Sequence, residues 1–410
     1  MDIALTAPAP PPTLTLKSAS NSYRIESIDL LRGLIMIIMA LDHSRDFFHI
    51  NGLTGDPLDP ATTTPVLYFT RWITHFCAPV FVFLSGLSAW LQGRRKTKKE
   101  LSRFLISRGL WLIFIDLTVM SLGLTGDIHY GLFVLETLWS IGASMVILGL
   151  VIWLPFQVIM VSGLVIFFGH NLLDFAEKSR GGNVPLWWSF LHRPTITALW
   201  KNHSLFIFYP FLSWTGLMLL GYCCGKLFTD MEPQRRKKIL LWTGAGALIF
   251  FVALRATNIY GDPNDWSRQK NGIATFFSFM NVQKYPPSLL FLCATIGPAL
   301  IFLALVKNTG TRLVKTISVY GRVPFFYFIV HFYILHIAQV ITYLIRGHSL
   351  AEGMKGVPGL PFKFAVPGEG YSLGLIYIIW MAIVIAMYPL CKWYDKYKTN
   401  HKEKWWLSYL

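Results

Sequence analysis

The sequence predicts an all-α fold: a polytopic bundle of about ten membrane-spanning helices, with room for an eleventh, and both termini on the cytoplasmic side. Three observations predict it. The 410 residues are 54% hydrophobic and only 14% charged, with a mean hydropathy of +0.48. Apolar runs long enough to cross a bilayer recur along the chain. Between them no polar block is long enough to fold alone, so residues 24–392 read as one membrane domain between tails at 1–23 and 393–410. Backbone groups in lipid must be bonded within their own segment, which makes the helix the expected form of each run.

Taken in order, the first segment, MDIALTAPAPPPTLTLKSASNSY, lacks a basic start and an apolar stretch, so it is not a signal peptide. Its Pro, Ser, Thr and Ala content reads as a disordered tail. The apolar runs then lie at about 28–48, 66–91, 103–123, 132–153, 155–170, 205–228, 239–258, 286–306, 318–345 and 371–391. The fifth is short and is divided from the fourth only by Leu154, Pro155 and Phe156. With the N-terminus inside, the inner segments hold 23 Lys and Arg and the outer segments 13, mostly through RRKTKKE at 94–100 and QRRKK at 234–238. That asymmetry is the one that orients membrane proteins.

The net charge of +16 therefore comes in short blocks between apolar runs. No basic helix or aromatic RNA motif accompanies it, so nucleic acid is excluded as a partner. The five cysteines fall in or beside apolar runs and none has metal-ligand spacing with His, so neither a disulfide framework nor a metal is expected. No internal repeat is present.

The first span, SIDLLRGLIMIIMALDHSRDFF at 27–48, is unusual. Arg32 and His43 are eleven residues apart, hence within roughly 20° of one face and about 16 Å apart along a helix. Asp42, Arg45 and Asp46 stand beside the His. Ionisable residues inside a span are costly and mark function more often than not; the plainer reading is a polar cap wetted at the membrane surface. Arg71 and His75, four apart, share a face at the outer end of the second span. Glu136 lies on the outer side, Asp116 near mid-membrane, and Asp127 and His129 in the loop between. Together they predict an outward-facing polar pocket built from at least three helices. The ninth span carries His331, in its inner half near Arg322, and His336; an interhelical hydrogen bond and a functional role are equally open for such a His. Long outer loops at about 171–204, 259–285 and 346–370 hold Trp187, Trp188, Trp200 and Trp266. Such rings either stack on sugars or belong to an interfacial aromatic belt.

Arg32-x10-His43, preceded by SIDLLRG and followed by a basic loop after the second span, resembles the signature of integral membrane acyltransferases. These include the OafA-like sugar O-acetyltransferases and the heparan-alpha-glucosaminide N-acetyltransferase group. RIESIDLLRGLIMIIMALDHSRDFF with APVFVFLSGLSAWL at 78–91 most resembles bacterial membrane proteins with a catalytic-like domain of the latter. The resemblance implies a multi-pass enzyme of the plasma (inner) membrane. It would move an acetyl group from acetyl-CoA, or another acyl-CoA, to an amino or hydroxyl group of an envelope sugar. Its expected partners are lipid and a glycan acceptor, with room for a homo-oligomer. It implies His43 as the catalytic residue, Arg32 as support for acyl-CoA, and Arg94 and Arg95 as contacts for CoA phosphates. Arg322 and His331 join that side; Arg71, His75, Glu136 and Trp266 join the acceptor side.

The residues allow that chemistry. An unperturbed imidazole titrates near neutrality, which suits His43 to general-base work. Asp46, three residues on, is placed to orient it, with Arg45 paired to Asp42. Arg71 or His75 is placed to stabilise an oxyanion. Acylation of His43 itself is the other route. A proton-coupled transporter is the rival class, because Asp, His and Arg in spans also relay protons. Pro79, Pro298 and Pro324 interrupt spans, but not as the matched pair a repeat-built transporter shows.

Overall fold

The computed structural model describes residues 25–50, 52, 55–59, 62–179, 184–306, 310–357, 360 and 362–408. The tail expected at 1–23 lies outside them. In chain order come α1 (Glu26–Phe48), α2 (Pro65–Ile73), α3 (Cys77–Gly93), α4 (Lys98–Ile115), α5 (Ser121–Thr125), β1 (Leu132–Leu135), α6 (Thr137–Val151), α7 (Phe156–Gly169), α8 (Leu172–Ser179) and α9 (Leu186–Leu191). Then follow β2 (Thr195–Trp200), β3 (His203–Ile207), α10 (Leu212–Thr229), α11 (Pro233–Thr257), α12 (Gly272–Met280), α13 (Leu289–Leu305), α14 (Arg312–Arg322), α15 (Pro324–Ile345), α16 (Leu350–Lys355) and α17 (Leu373–Asn400).

Every one of the ten apolar runs contains a helix, but several are broken or shortened. Val323, at φ −131° and ψ 49°, separates α14 from α15. Pro324 explains the break: its ring excludes the helical region at the residue before it and it lacks an N–H. The third run loosens into a π turn at Asp116–Met120 before α5. The basic segment from 393 is not a separate tail at its start, because α17 continues to Asn400.

The all-α expectation needs correction. β1, β3 and β2 form a three-stranded sheet in that order, β1 parallel and β2 antiparallel to β3. It takes the first residues of the fourth and sixth apolar runs. Leu135, Leu205 and Ile207 bury there as a small cluster with Trp139 and Phe190. Short apolar stretches that run straight into a helix cannot be told from its first turn by periodicity.

Among the described residues, five helical segments qualify as membrane spans by length and composition, and six if α7 and α8, bent by 48°, count as one. The sequence reading drew ten. α1 is long enough at 23 residues but carries Glu26, Asp29, Arg32, Asp42, Arg45 and Asp46; α6 and α13 have only 15 and 17 residues.

α1 lies against α14, α15, α17 and α3. Its approach to α14 is set by glycine. A Cβ on Gly33 would run into the carbonyl oxygen of Ile317, and one on Gly321 into that of Asp29. Gly86 and Gly221 bring α3 onto α10 in the same way. Small residues at such crossings let backbones approach, which drives helix association in lipid. We therefore expect Gly321→Val to prevent α14 from seating, at a cost of about 3 kcal/mol or more. Loss of the monodisperse peak in detergent size-exclusion chromatography checks this. Gly246→Val is the control, since a Cβ there has nothing within 4 Å.

The segment between α11 and α13 is held by buried Arg255. Its guanidinium donates to the carbonyls of Asn264 (2.6 Å), Asn281 (2.9 Å), Phe279 (3.0 Å) and Ser278 (3.1 Å). Asp262 Oδ2 accepts from Ser288 Oγ at 2.6 Å and Gln283 N at 2.8 Å. These bonds fix the ends of the short segment that carries Lys284 and Tyr285.

A candidate active site along the first helix

Met36, Met39, His43, Asp46 and Phe47 repeat at helical spacing, so one stripe of α1 faces one side. That stripe, with Asp42, lines a cavity of about 210 Å³. The facing walls come from Cys77, Phe81 and Ser85 of α3, Arg108 and Leu112 of α4, and Ile141 and Met145 of α6. Phe325, Phe328 and Phe332 of α15 close another side. Glu136, Tyr209, Lys284 and Tyr285 complete the lining. Most of the lining is apolar, and Asp42, Asp46, Glu136, Arg108 and Lys284 supply its acidic and basic side chains beside His43.

His43 meets a partner from far along the chain. Its Nδ1 lies 2.9 Å from Nε2 of buried His331, and the two ring planes are 11° apart. His331 Nδ1 lies 2.7 Å from the carbonyl oxygen of Tyr327. A carbonyl only accepts, so His331 Nδ1 carries a proton and donates it there. In the neutral ring His331 Nε2 is then an acceptor, and His43 Nδ1–H donates to it. His43 Nε2 is thereby left unprotonated, in a ring that lines the cavity. Phe332 and Phe328 pack edge-on to the His43 ring, with centroids at 4.9 and 6.0 Å.

Beside His43 stands a partly buried charge network, centred on buried Arg45. Arg45 donates to Asp42 at 3.0 Å and to Asp46 at 2.5 Å. Arg71 donates to Asp42 at 3.0 and 3.2 Å and to Thr74 Oγ1 at 2.8 Å. Two carboxylates thus hold two guanidinium groups, a balance that a buried network needs. Asp46, expected to orient His43, turns to Arg45 instead. That position falls to His331, expected with Arg322 on the donor side.

The other expected residues are spread out. Arg32 donates to Ser88 Oγ (2.9 Å) and the carbonyl of Gly321 (3.1 Å), with Asp29 at 3.4 Å; it joins α1 to α3 and α14 and does not line the cavity. Arg94 and Arg95 are exposed at the α3–α4 turn, Arg94 at 3.9 Å from Asp230. Arg322 pairs with Asp395 at 2.7 Å. His75 is buried between Trp72 and Phe291, off the cavity. Trp266 is also off it, its backbone held by the Asn258 side chain and its ring against Phe279. Glu136 does line the cavity. Asp116 accepts from the backbone N–H of Glu136 (2.7 Å) and Trp139 (2.9 Å) and so anchors the start of α6.

Two lining cations went unread in the sequence. Arg108 is one charge within an apolar run, counted only toward orientation. Lys284 is a single Lys in a segment expected to be an outer loop, and the fold buries it, with its Nζ 5.1 Å from the Tyr285 ring centroid.

Residues 24–258, more than half of the chain, match the family model described as heparan-alpha-glucosaminide N-acetyltransferase, catalytic. No curated protein matches the chain. The matched part holds α1 through α11, with His43, Asp42, Arg71 and Arg108. His331 and Lys284 come from the part beyond it.

Proposed function

The chain belongs to the heparan-alpha-glucosaminide N-acetyltransferase catalytic family, and on that premise we propose that it carries an acetyl group from acetyl-CoA to an amino or hydroxyl group of a sugar, with His43 as the base. The family makes it a multi-pass membrane acetyltransferase. The observation that supports the finer reading is the fixed tautomer of His43: Nδ1 is taken by His331, and Nε2 is left as a proton acceptor. The cavity suits a thioester donor with a long flexible arm. Met36, Met39, Phe81, Leu112, Ile141 and Met145 offer an apolar path, and Arg108 offers a cation for phosphate. We place the donor on the cytoplasmic side and the acceptor outside, as the Lys and Arg asymmetry suggests.

In this reading His43 Nε2 takes a proton from the acceptor as its nitrogen or oxygen bonds to the thioester carbonyl carbon. The C–S bond breaks, and the imidazolium returns the proton to the departing thiolate. Lys284 stabilises the charge that develops on the carbonyl oxygen, the part expected earlier of Arg71 or His75. Arg71 is better read as a support, since its guanidinium is held by Asp42 and Thr74.

The test is to incubate detergent-purified protein with radiolabelled acetyl-CoA and a panel of amino sugars and glycans. Label on the acceptor supports transfer. No label on any acceptor, with solute accumulating unaltered in proteoliposomes, makes the protein a transporter. Lys284→Met is expected to lower kcat by about 10²-fold, the usual loss for one such donor, with acceptor KM changed little. Lys284→Arg is expected to keep part of the rate.

A further inference from the structure

Among the described residues, one cluster of ligating groups apart from the cavity is built like a metal site. Asp174 and Glu177 lie on α8 and His192 just after α9, and each offers one ligating atom, all within 4.8 Å of one another. His192 is buried, and its Nε2 has no hydrogen-bond partner. That nitrogen points at Asp174 Oδ1, 3.9 Å away. On the other side of the ring, His192 Nδ1 lies 2.9 Å from Glu177 Oε1. A carboxylate accepts, so Nδ1 carries a proton, and in the neutral ring Nε2 presents a lone pair. A lone pair and a carboxylate oxygen then face each other with nothing to bind them together.

The surroundings orient the cluster. Asp174 Oδ2 accepts from Asn171 Nδ2 at 2.7 Å, which turns Oδ1 toward His192. Glu177 Oε1 also accepts from Trp188 Nε1 at 2.6 Å. A carboxylate holding the far nitrogen of an imidazole is the usual support behind a metal-bound His. We propose that Asp174 and His192, with Glu177 behind the imidazole or as a third ligand, bind one divalent transition ion of the zinc class. An imidazole in the donor set favours such an ion over calcium or magnesium. Zinc bonds of about 2.0–2.2 Å at a tetrahedral angle place two ligands roughly 3.4 Å apart, so the observed pair closes by about half an ångström.

The ion would tie α8 to α9, and its effect would reach the cavity. Asn171 Oδ1 accepts from Leu289 N at 2.8 Å, and His170 Nε2 lies 2.9 Å from the carbonyl oxygen of Pro287. Those bonds steady the segment that carries Lys284 and Tyr285. The proposal concerns structure and does not depend on the transferase reading.

The test uses full-length protein in detergent, with any affinity tag removed, stripped by a chelator and then given ZnCl2, MnCl2 or CaCl2. Metal content after gel filtration and the thermal midpoint are read. The expected result is about one zinc per chain, a rise in Tm for wild type, and affinity roughly 10–100-fold weaker in Asp174→Asn and His192→Gln. Asp174→Asn keeps the side-chain shape and an acceptor for Asn171. Co2+ added to stripped wild type needs no variant and should give the visible absorption of a low-coordinate nitrogen–oxygen site. The proposal is overturned if stripped wild type binds no more zinc than His192→Gln, if Co2+ gives only the spectrum of the hydrated ion, or if Ca2+ alone raises Tm.

Discussion

Replacing His43 by alanine should reduce acetyl transfer by about 10³-fold while leaving the bundle folded, because it removes the base and little else. The Asp42–Arg45–Arg71–Asp46 network does not use the His43 side chain, so its charges stay paired. The truncation leaves space beside Phe328 and Phe332 and frees Nε2 of His331. Initial rates with labelled acetyl-CoA measure the effect, with donor affinity measured separately to show that binding survives. Added imidazole should restore part of the rate, since the missing group would be returned to the space it left. A variant within tenfold of wild type would remove His43 from the chemistry.

His331→Leu should be nearly as damaging, by about 10²-fold or more, though His331 touches no substrate in this reading. It is a positioning residue. Without its Nε2, the proton on His43 Nδ1 has no acceptor, and the ring can take the tautomer in which Nε2 is protonated and cannot act as a base. A structural role alone would lower the yield of folded protein. A positioning role lowers kcat in folded protein, leaves donor KM in place and alters the pH profile of kcat. His331→Gln separates the two: its amide oxygen can accept from His43 Nδ1 and should recover part of the rate lost in His331→Leu. Equal rates in the two variants would deny the tautomer argument.

Much of this was legible in the sequence, for definite reasons. Helices in lipid need long apolar runs, so their positions could be read. That His43 and Asp46 lie on nearly one face of α1 could be read because side chains at helical spacing share a face whatever surrounds them, but Arg32, read onto the same face, does not line the cavity. Glu136 was legible beside it, as a charge next to an apolar run. What failed to show depends on contacts between distant segments. His43 and His331 are 288 residues apart, and nothing local says that their nitrogens meet. Arg32 looked available because its neighbours on α14 could not be foreseen; the glycine contacts bring the Gly321 carbonyl within its reach. Asp46 has the correct spacing to meet His43, yet adjacent Arg45 is the stronger partner. Lys284 stands in a loop whose shape comes from Arg255 and Asp262. The sheet was hidden because β1 and β3 lead into the apolar runs of α6 and α10, and β2 lies in a stretch read as a loop.

The glycine seam between α1 and α14 also bears on how the protein is made. α1 leaves the ribosome well before α14 and α15 and carries six charged residues. The Gly321 carbonyl that holds Arg32, and the imidazole that holds His43, are made almost 300 residues later. Arg71 can relieve Asp42 early, but Arg32 and His43 stay without these partners until α14 and α15 are made. A charged helix without its neighbours is a poor guest in lipid. α1 therefore reaches its final environment only once α14 and α15 have been made, and the pairing of His43 with His331 is among the contacts that wait for them.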